Sequence, residues 1–187
     1  MSRLISRKPT YRDRLRQAAR ENDGFVTPTI AADYGVPKVE LRKLAQRGAF
    51  EKVHRGVYWD PLYPADEHTE IRGILRSLGD EAYLAEDSVL ALFDLANVNP
   101  RVITIASPQR HQRELPDNIR VIKPKRAEDI HLYKGIPCQP LVTAFEDAAP
   151  GIMRERLVAA IRKAREEGLL LRREYRQLME KFSDEDL

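Results

Sequence analysis

Residues 24–59 read GFVTPTIAADYGVPKVELRKLAQRGAFEKVHRGVYW and contain the start and stop signals of two short helices and a hairpin. Thr27 has the residue type that caps a helix N-terminus, and Pro28 suits the first helical position. Gly35 has the conformational freedom that commonly ends a helix. These signals predict a first short helix from Pro28 to Tyr34.

A second helix is predicted directly after Pro37, over Lys38–Arg47. Leu41 and Leu44 are spaced by three residues and therefore lie on one face, which we expect to be buried. Gly48 marks the end of this helix. Two short helices joined by a three-residue turn that contains a glycine are typical of a helix-turn-helix.

A further helix precedes this pair and a hairpin follows it. Residues 10–24, TYRDRLRQAARENDG, have the periodicity of an amphipathic helix with Leu15 facing inward. Phe50–Val53 and Val57–Trp59 are predicted to be the two strands of a hairpin, joined by a turn at residues 54–56. Three helices and a two-stranded hairpin, in this order, predict a winged helix-turn-helix domain over residues 1–63.

The charge of the chain is distributed unevenly. Residues 1–64 contain 13 Lys and Arg against 7 Asp and Glu, a net charge of +6, whereas residues 65–187 contain 19 against 22, a net charge of −3. Clustered cations are what neutralisation of a phosphate backbone requires. The asymmetry favours a nucleic-acid-binding head on a body that has another task.

Polar side chains on the second helix and the hairpin are the candidate DNA-binding residues. Arg and Lys pair with guanine edges and Gln with adenine in the major groove, while cations on a hairpin meet phosphate or a minor groove. The alternative is a merely solvated face, because Lys and Arg are good helix formers. Agreement of helix pair, hairpin and charge favours DNA binding. The candidates are Thr27, Lys38, Val39, Arg42, Lys43, Gln46, Arg47, Lys52, His54 and Arg55.

The same segment resembles the N-terminal winged helix of the AbiEi-family antitoxins. The more specific part is the family's basic tail, R-G-x-[LF]-x-[KR]-V-x-R-G-V-Y, which stands here at Arg47–Tyr58. The resemblance continues more weakly through AYLAEDSVLALFDL, RVITIAS and KGIPCQPLVTAFEDAA. The sequence departs from the family near the end of the first of these, where Asp94 stands at the position of a glycine.

This resemblance implies a transcriptional regulator that represses its own operon. It also implies an antitoxin of a type IV toxin-antitoxin, or abortive-infection, system, which counters a nucleotidyltransferase-like toxin without forming a stable complex with it. The expected DNA partner is the chain's own promoter with inverted repeats, bound by a monomer or weak dimer that pairs on DNA. The alternative is an antitoxin that neutralises its toxin by direct binding through the C-terminal domain.

The remainder, residues 64–187, has a mixed pattern that predicts a C-terminal α/β domain, so the fold class is α+β. The predicted helices are Asp66–Leu78, Ser88–Leu95, Leu141–Ala148, Ile152–Glu167 and Arg172–Phe182, followed by a frayed acidic tail. The predicted strands are Val102–Ala106, Ile119–Ile122 and, more weakly, Ile130–Tyr133.

A second basic group surrounds the predicted strand Ile119–Ile122. It consists of Arg110, Arg113, Lys123, Lys125 and Arg126. The preferred interpretation is a solvated sheet edge protected by charge. The alternative is a second nucleic-acid or partner surface.

Motifs of catalysis are absent from the sequence. The nine glycines form no phosphate-binding loop, the four histidines have no metal-ligand spacing, and the single cysteine, Cys138, fits a buried packing residue. The carboxylate pairs Glu86–Asp87 and Glu128–Asp129 are expected to cap helices. We therefore expect no enzyme, no catalytic residues, no metal and no cofactor.

The sequence also contains no apolar stretch of membrane length. The longest segment without a charged residue is 135–145, whereas a membrane-spanning helix needs about 20 apolar residues. The N-terminal twenty residues lack the apolar core of a secretory signal. We expect a cytoplasmic protein without a membrane partner.

Overall fold

The computed structural model describes residues 8–95, 101–109 and 115–183. The chain divides into two compact units, Met1–Ser77 and Leu78–Leu187. The predicted class, α+β with an N-terminal helix-turn-helix domain, is confirmed.

The first unit contains a helix, a helix pair, a hairpin and one further helix. Its helices are α1 (Tyr11–Arg20), α2 (Pro28–Asp33), α3 (Lys38–Gln46) and α4 (Thr69–Leu78), and its strands are β1 (Phe25–Val26), β2 (Glu51–His54) and β3 (Val57–Trp59). The strands form an antiparallel sheet in the order β1-β3-β2. β1 was not predicted, because two residues are too few to show a strand pattern.

The first two helices of this unit begin where a local hydrogen bond satisfies their first amides. A capping box starts α1: Asp13 N donates to Thr10 Oγ1, and Thr10 N donates to the Asp13 carboxylate. At α2, Ile30 N donates to Thr27 Oγ1 over 3.2 Å, so the predicted cap is confirmed.

The core of the first unit lies between the three N-terminal helices and the sheet. Leu15, Leu41 and Phe50 are fully buried there, with Val26 and Tyr58 from the sheet. Burial of such side chains stabilises the unit by about 2 kcal/mol each. The predicted inward faces of the first helix and of the second helix of the pair are therefore confirmed.

Helix α4 packs against strand β1. A Cβ atom on Gly73 would lie 3.2 Å from the Phe25 ring, and Arg76 Nη2 lies 3.1 Å from Asp23 Oδ2. Because this helix covers the Phe25 side chain, the first compact unit extends to Ser77. The domain boundary predicted from the sequence lies 14 residues earlier, at residues 63–64.

The second unit is built on a mixed sheet. Its strands are β4 (Tyr83–Leu84), β5 (Ile103–Ala106), β6 (Ile119–Ile122), β7 (His131–Tyr133) and β8 (Ile136–Cys138), in the order β6-β5-β4-β8-β7. Strand β4 is antiparallel to β5 and parallel to β8. Strands β5 and β6 are parallel, and β7 and β8 form an antiparallel hairpin.

Helices of the second unit follow the predicted pattern closely. They are α5 (Asp87–Leu92), α6 (Leu141–Ala148), a 3-10 turn (Ala149–Gly151), α7 (Arg154–Glu166) and α8 (Arg172–Phe182). The limits of α6 and α8 are as predicted. The predicted apolar stripe of α7, which runs from Leu157 to Ala164, is buried. The predicted frayed tail lies outside the described residues.

Candidate nucleic-acid interface

The turn between α2 and α3 has the geometry that the sequence predicts. Gly35 has a φ of +66°, in the left-handed region, and Val36 N donates to Ala31 O over 2.8 Å. This bond closes the end of α2, and the buried Val36 side chain then anchors the start of α3. The side chain of Thr27 is occupied in capping α2, and any contact of its hydroxyl with DNA stays a prediction.

Helix α3 presents one face to the core and the opposite face to solvent. Leu41 is fully buried, and Leu44 and Ala45 pack against the same core. The solvent face is formed by side chains at helical spacing, namely Lys38, Val39, Arg42, Lys43 and Gln46, and Arg47 follows them at the C-cap. The structure thus brings together, on α3 and its C-cap, six of the ten candidates predicted from the sequence.

One ion pair fixes part of this face. Lys43 Nζ lies 2.9 Å from Glu40 Oε1, one turn back on the helix. Such an exposed pair contributes less than about 1 kcal/mol to folding. Lys43 therefore remains available to exchange this carboxylate for a phosphate or a base edge.

The hairpin of β2 and β3 forms the predicted wing. Its turn is Arg55–Gly56, and Gly56 has a φ of +79° with open space around its Cα. Val57 and Tyr58 return to the core, as predicted. Lys52 and Arg55 are exposed.

His54 is placed differently from the other wing candidates. It is half-buried, and a Cβ atom on Gly73 would lie 3.4 Å from its ring carbon Cδ2. The imidazole therefore lies against α4, within the unit. Its predicted DNA contact is not tested by this placement, but only part of the side chain faces solvent.

The second basic group is largely paired with carboxylates. Lys125 Nζ lies 3.3 Å from Asp147 Oδ1 and 3.4 Å from Glu86 Oε1, and Arg126 Nη2 lies 3.2 Å from Asp147 Oδ2. Partial burial opposes the charged form of Lys125, but the bonds and charges of Asp147 and Glu86 outweigh it and raise the pKa of Lys125. The charge of these two cations is therefore offset within the unit.

The other members of this group are Lys123, Arg110 and Arg113. Lys123 lies on the segment after β6, whereas Arg110 and Arg113 lie outside the described residues. A second nucleic-acid or partner surface at this place stays a prediction.

The carboxylates that pair with these cations are held together by Gln139. Its Nε2 donates to Glu128 Oε1 and to Asp147 Oδ2, both over 3.0 Å, and its Oε1 accepts from Glu86 N over 2.8 Å. Gln139 itself is buried. It thereby fixes three acidic residues that are far apart in sequence, and nothing in the sequence signalled this role.

The predicted capping roles of the carboxylate pairs are only partly correct. Asp87 lies in the first turn of α5, where a negative charge is favourable. Glu86 makes no capping bond and instead accepts from Arg120 Nη2 over 2.6 Å. For Glu128–Asp129 the prediction is wrong, because no helix begins there and strand β7 follows.

A concave basic surface on α7 and α8 was not foreseen from the sequence. It is a cavity of about 530 Å³ lined by three exposed arginines and one glutamate, together with three uncharged residues, namely Arg162, Arg172, Arg176, Glu180, Tyr175, Met179 and Ser183. We call this surface the arginine cavity. The two helices bring together residues that no local sequence pattern connects.

No site for a metal ion is found among residues 8–95, 101–109 and 115–183. No three His, Cys, Asp or Glu side chains lie together there in a way that could hold one. Within the same residues, no helix combines the length and apolar composition that crossing a bilayer requires.

The fold and exposed face of the first unit define a winged helix-turn-helix domain. Residues 13–58 match the model of a family described as transcriptional regulator, AbiEi antitoxin. The resemblance stated from the sequence is confirmed for this segment, which contains most of α1, the helix pair and most of the wing.

No curated protein matches the chain. A solved structure described as the RV2827C protein from Mycobacterium tuberculosis is similar at 19% sequence identity, covering 93% of this chain and 72% of that one, with a TM-score of 0.43.

Proposed function

We propose that the protein is a DNA-binding autorepressor that places α3 in the major groove of its own promoter and sets the wing on the adjacent backbone. The observation that supports this proposal is the solvent face of α3. It offers Arg42, Lys43 and Gln46 within about one helical turn, and these are the side-chain types that pair with purine edges. The core of the unit needs none of these side chains.

The family match supports a toxin-antitoxin role for this regulator. We propose further that it acts in a type IV system and counters a nucleotidyltransferase-like toxin without a stable complex. The chain would bind inverted repeats as a monomer or weak dimer that pairs on DNA. Its compartment in this proposal is the cytoplasm.

A gel shift with the chain's own promoter tests the DNA-binding proposal. The double variant Arg42→Ala/Lys43→Ala should lose discrimination between promoter and unrelated DNA, because removing one base-edge interaction costs about 1–3 kcal/mol. Arg156→Ala, which removes an exposed arginine of α7, is the matched control and should bind as the unmodified chain does. Unchanged promoter affinity in the double variant would contradict the assignment of α3.

A second candidate function is direct neutralisation of the toxin. The arginine cavity favours it, because three exposed guanidinium groups on a concave surface suit an acidic protein partner. Co-purification with the product of the neighbouring gene tests it. A complex that disappears in Arg162→Ala/Arg172→Ala/Arg176→Ala would support direct binding, and the absence of any complex would favour the type IV proposal.

A further inference from the structure

Val39 is an apolar side chain on the otherwise polar face of α3. It is 57% exposed, whereas the apolar residues that α3 gives to the core, Leu41 and Leu44, lie on the opposite side. Folding does not explain valine at this position. An exposed helix site favours Ala, Lys or Glu, since β-branched residues have lower helix propensity.

The position of Val39 connects it with the candidate base contacts. Single exposed apolar residues are ordinary on protein surfaces. Val39, however, lies three and four residues before Arg42 and Lys43, so the three side chains are neighbours on one face. It also lies in the first turn of α3, and the N-terminal residues of a recognition helix are those that contact base edges.

We infer that Val39 contacts the 5-methyl group of a thymine in the operator. This inference rests on the proposed DNA binding and names one base that the bound sequence must contain. In the major groove thymine presents a methyl group beside its O4 acceptor, whereas the polar groups of guanine, adenine and cytosine are hydrogen-bond donors or acceptors with no methyl group beside them. Packing valine on those polar groups would leave them unpaired, which costs free energy, while packing it on a methyl group removes apolar surface from water.

Replacing thymidine by deoxyuridine tests this contact alone, because the replacement removes the methyl group and leaves every hydrogen-bonding group in place. The full-length chain is footprinted on its promoter, and each thymine within the footprint is replaced singly by deoxyuridine. At one thymine of a half-site, the affinity of the unmodified chain should fall about fourfold, the factor expected for one buried methyl group.

The variant Val39→Ala should bind the thymine and the deoxyuridine operators equally well. Val53→Ala is the matched control: Val53 is an exposed valine on the wing, and the variant should keep the fourfold response. Circular dichroism and thermal unfolding of both variants should match the unmodified chain, because neither side chain is in the core.

The outcomes separate the inference from the proposed function. Specific promoter binding with no response at any thymine would overturn the inference and leave the proposed function standing. If Val39→Ala still lost affinity about fourfold when thymine is replaced by deoxyuridine, the inference would also be overturned. Absence of any specific promoter binding by the unmodified chain would overturn both.

Discussion

Gly24 lies beneath the indole of Trp59, so closely that a Cβ atom on Gly24 would stand 2.4 Å from ring carbon Cζ3. The two residues are also joined through the backbone of the next position, since Asp60 N donates to Gly24 O over 2.9 Å. The indole packs edge-on against Phe25, with ring centroids 4.8 Å apart, and against Tyr63 at 5.6 Å. The contact between Gly24 and Trp59 therefore joins the start of β1 to the end of β3.

Gly24→Ala should therefore destabilise the first unit strongly. The φ of +85° at this position disfavours a side chain by about 1–2 kcal/mol, and the collision with the indole adds a cost of about 1–3 kcal/mol. We expect the free energy of unfolding to fall by about 3.5 kcal/mol, the middle of the summed range. Urea unfolding followed by tryptophan fluorescence measures it, because Trp59 is the only tryptophan in the chain.

Gly48→Ala is the matched control for this experiment. Gly48 has a similar φ of +75°, but no atom lies within 4 Å of the position that a Cβ atom would occupy. The control should show only the backbone contribution, about 1–2 kcal/mol. Equal destabilisation of the two variants would mean that the indole contact does not matter.

Arg55→Ala tests the role of the wing. Arg55 is exposed at the tip of the β2–β3 turn, where we propose that it contacts a phosphate. Its removal should weaken binding to promoter and unrelated DNA by the same factor and should lower the slope of log affinity against log salt by about 0.9. Titrations at several salt concentrations measure both quantities. Weaker binding to the promoter alone would instead place Arg55 at base edges in the minor groove.

Much of the fold could be predicted because its signals are local. Thr27 caps α2, Gly35 ends it and Gly56 forms the wing turn, and each of these residues acts through neighbours in sequence. The turn after α5 is local as well: Asp94 has a φ of +54°, in the left-handed region that Asp tolerates better than most residues.

What could not be predicted depends on distant contacts. Strand β4 is only two residues long and exists through its neighbours β5 and β8. Strand β8 contains Pro137, and because proline is uncommon inside a sheet, no strand was predicted there. For the basic group near β6, the sequence analysis kept a nucleic-acid surface as an alternative. The ion pairs that offset its charge could not be predicted, because Asp147, which pairs with Lys125 and Arg126, comes from the distant helix α6. The sequence analysis identified these cations and the carboxylates Glu86 and Glu128 separately, but not the ion pairs between them.

Cys138 should be an unreactive thiol in the folded protein. Burial raises the pKa of Cys138 to about 11, so almost no thiolate is present near pH 8. A thiol reagent at about pH 8 should modify the native chain far more slowly than the chain in denaturant. Cys138→Ala should not react, since the sequence has one cysteine. Rapid modification of the native chain would contradict the buried placement.

The same pKa predicts how stability changes at alkaline pH. Between the ordinary thiol pKa near 9 and the folded value of about 11, the unfolded chain has released the proton that the folded chain retains. The free energy of unfolding should therefore fall as pH rises through this range. Cys138→Ala should lack this contribution to the slope, which a comparison of urea unfolding at about pH 8, 9 and 10 would detect.

Growth rescue separates antitoxin activity from repression. Toxin and antitoxin are expressed from unrelated promoters, so that autorepression cannot lower the toxin level, and the antitoxin is the full-length Arg42→Ala/Lys43→Ala variant. If the second unit supplies an antitoxin activity of its own, this variant should rescue growth as well as the unmodified chain while failing to shift promoter DNA.

The matched variant Arg162→Ala/Arg172→Ala/Arg176→Ala keeps the solvent face of α3 and removes the arginines of the arginine cavity. Rescue by this variant would favour the type IV mechanism over direct binding at the cavity, whereas failure to rescue would favour direct binding. If the variant of α3 fails to rescue although it is folded and abundant, the antitoxin effect depends on DNA binding, and the second unit has no antitoxin activity of its own.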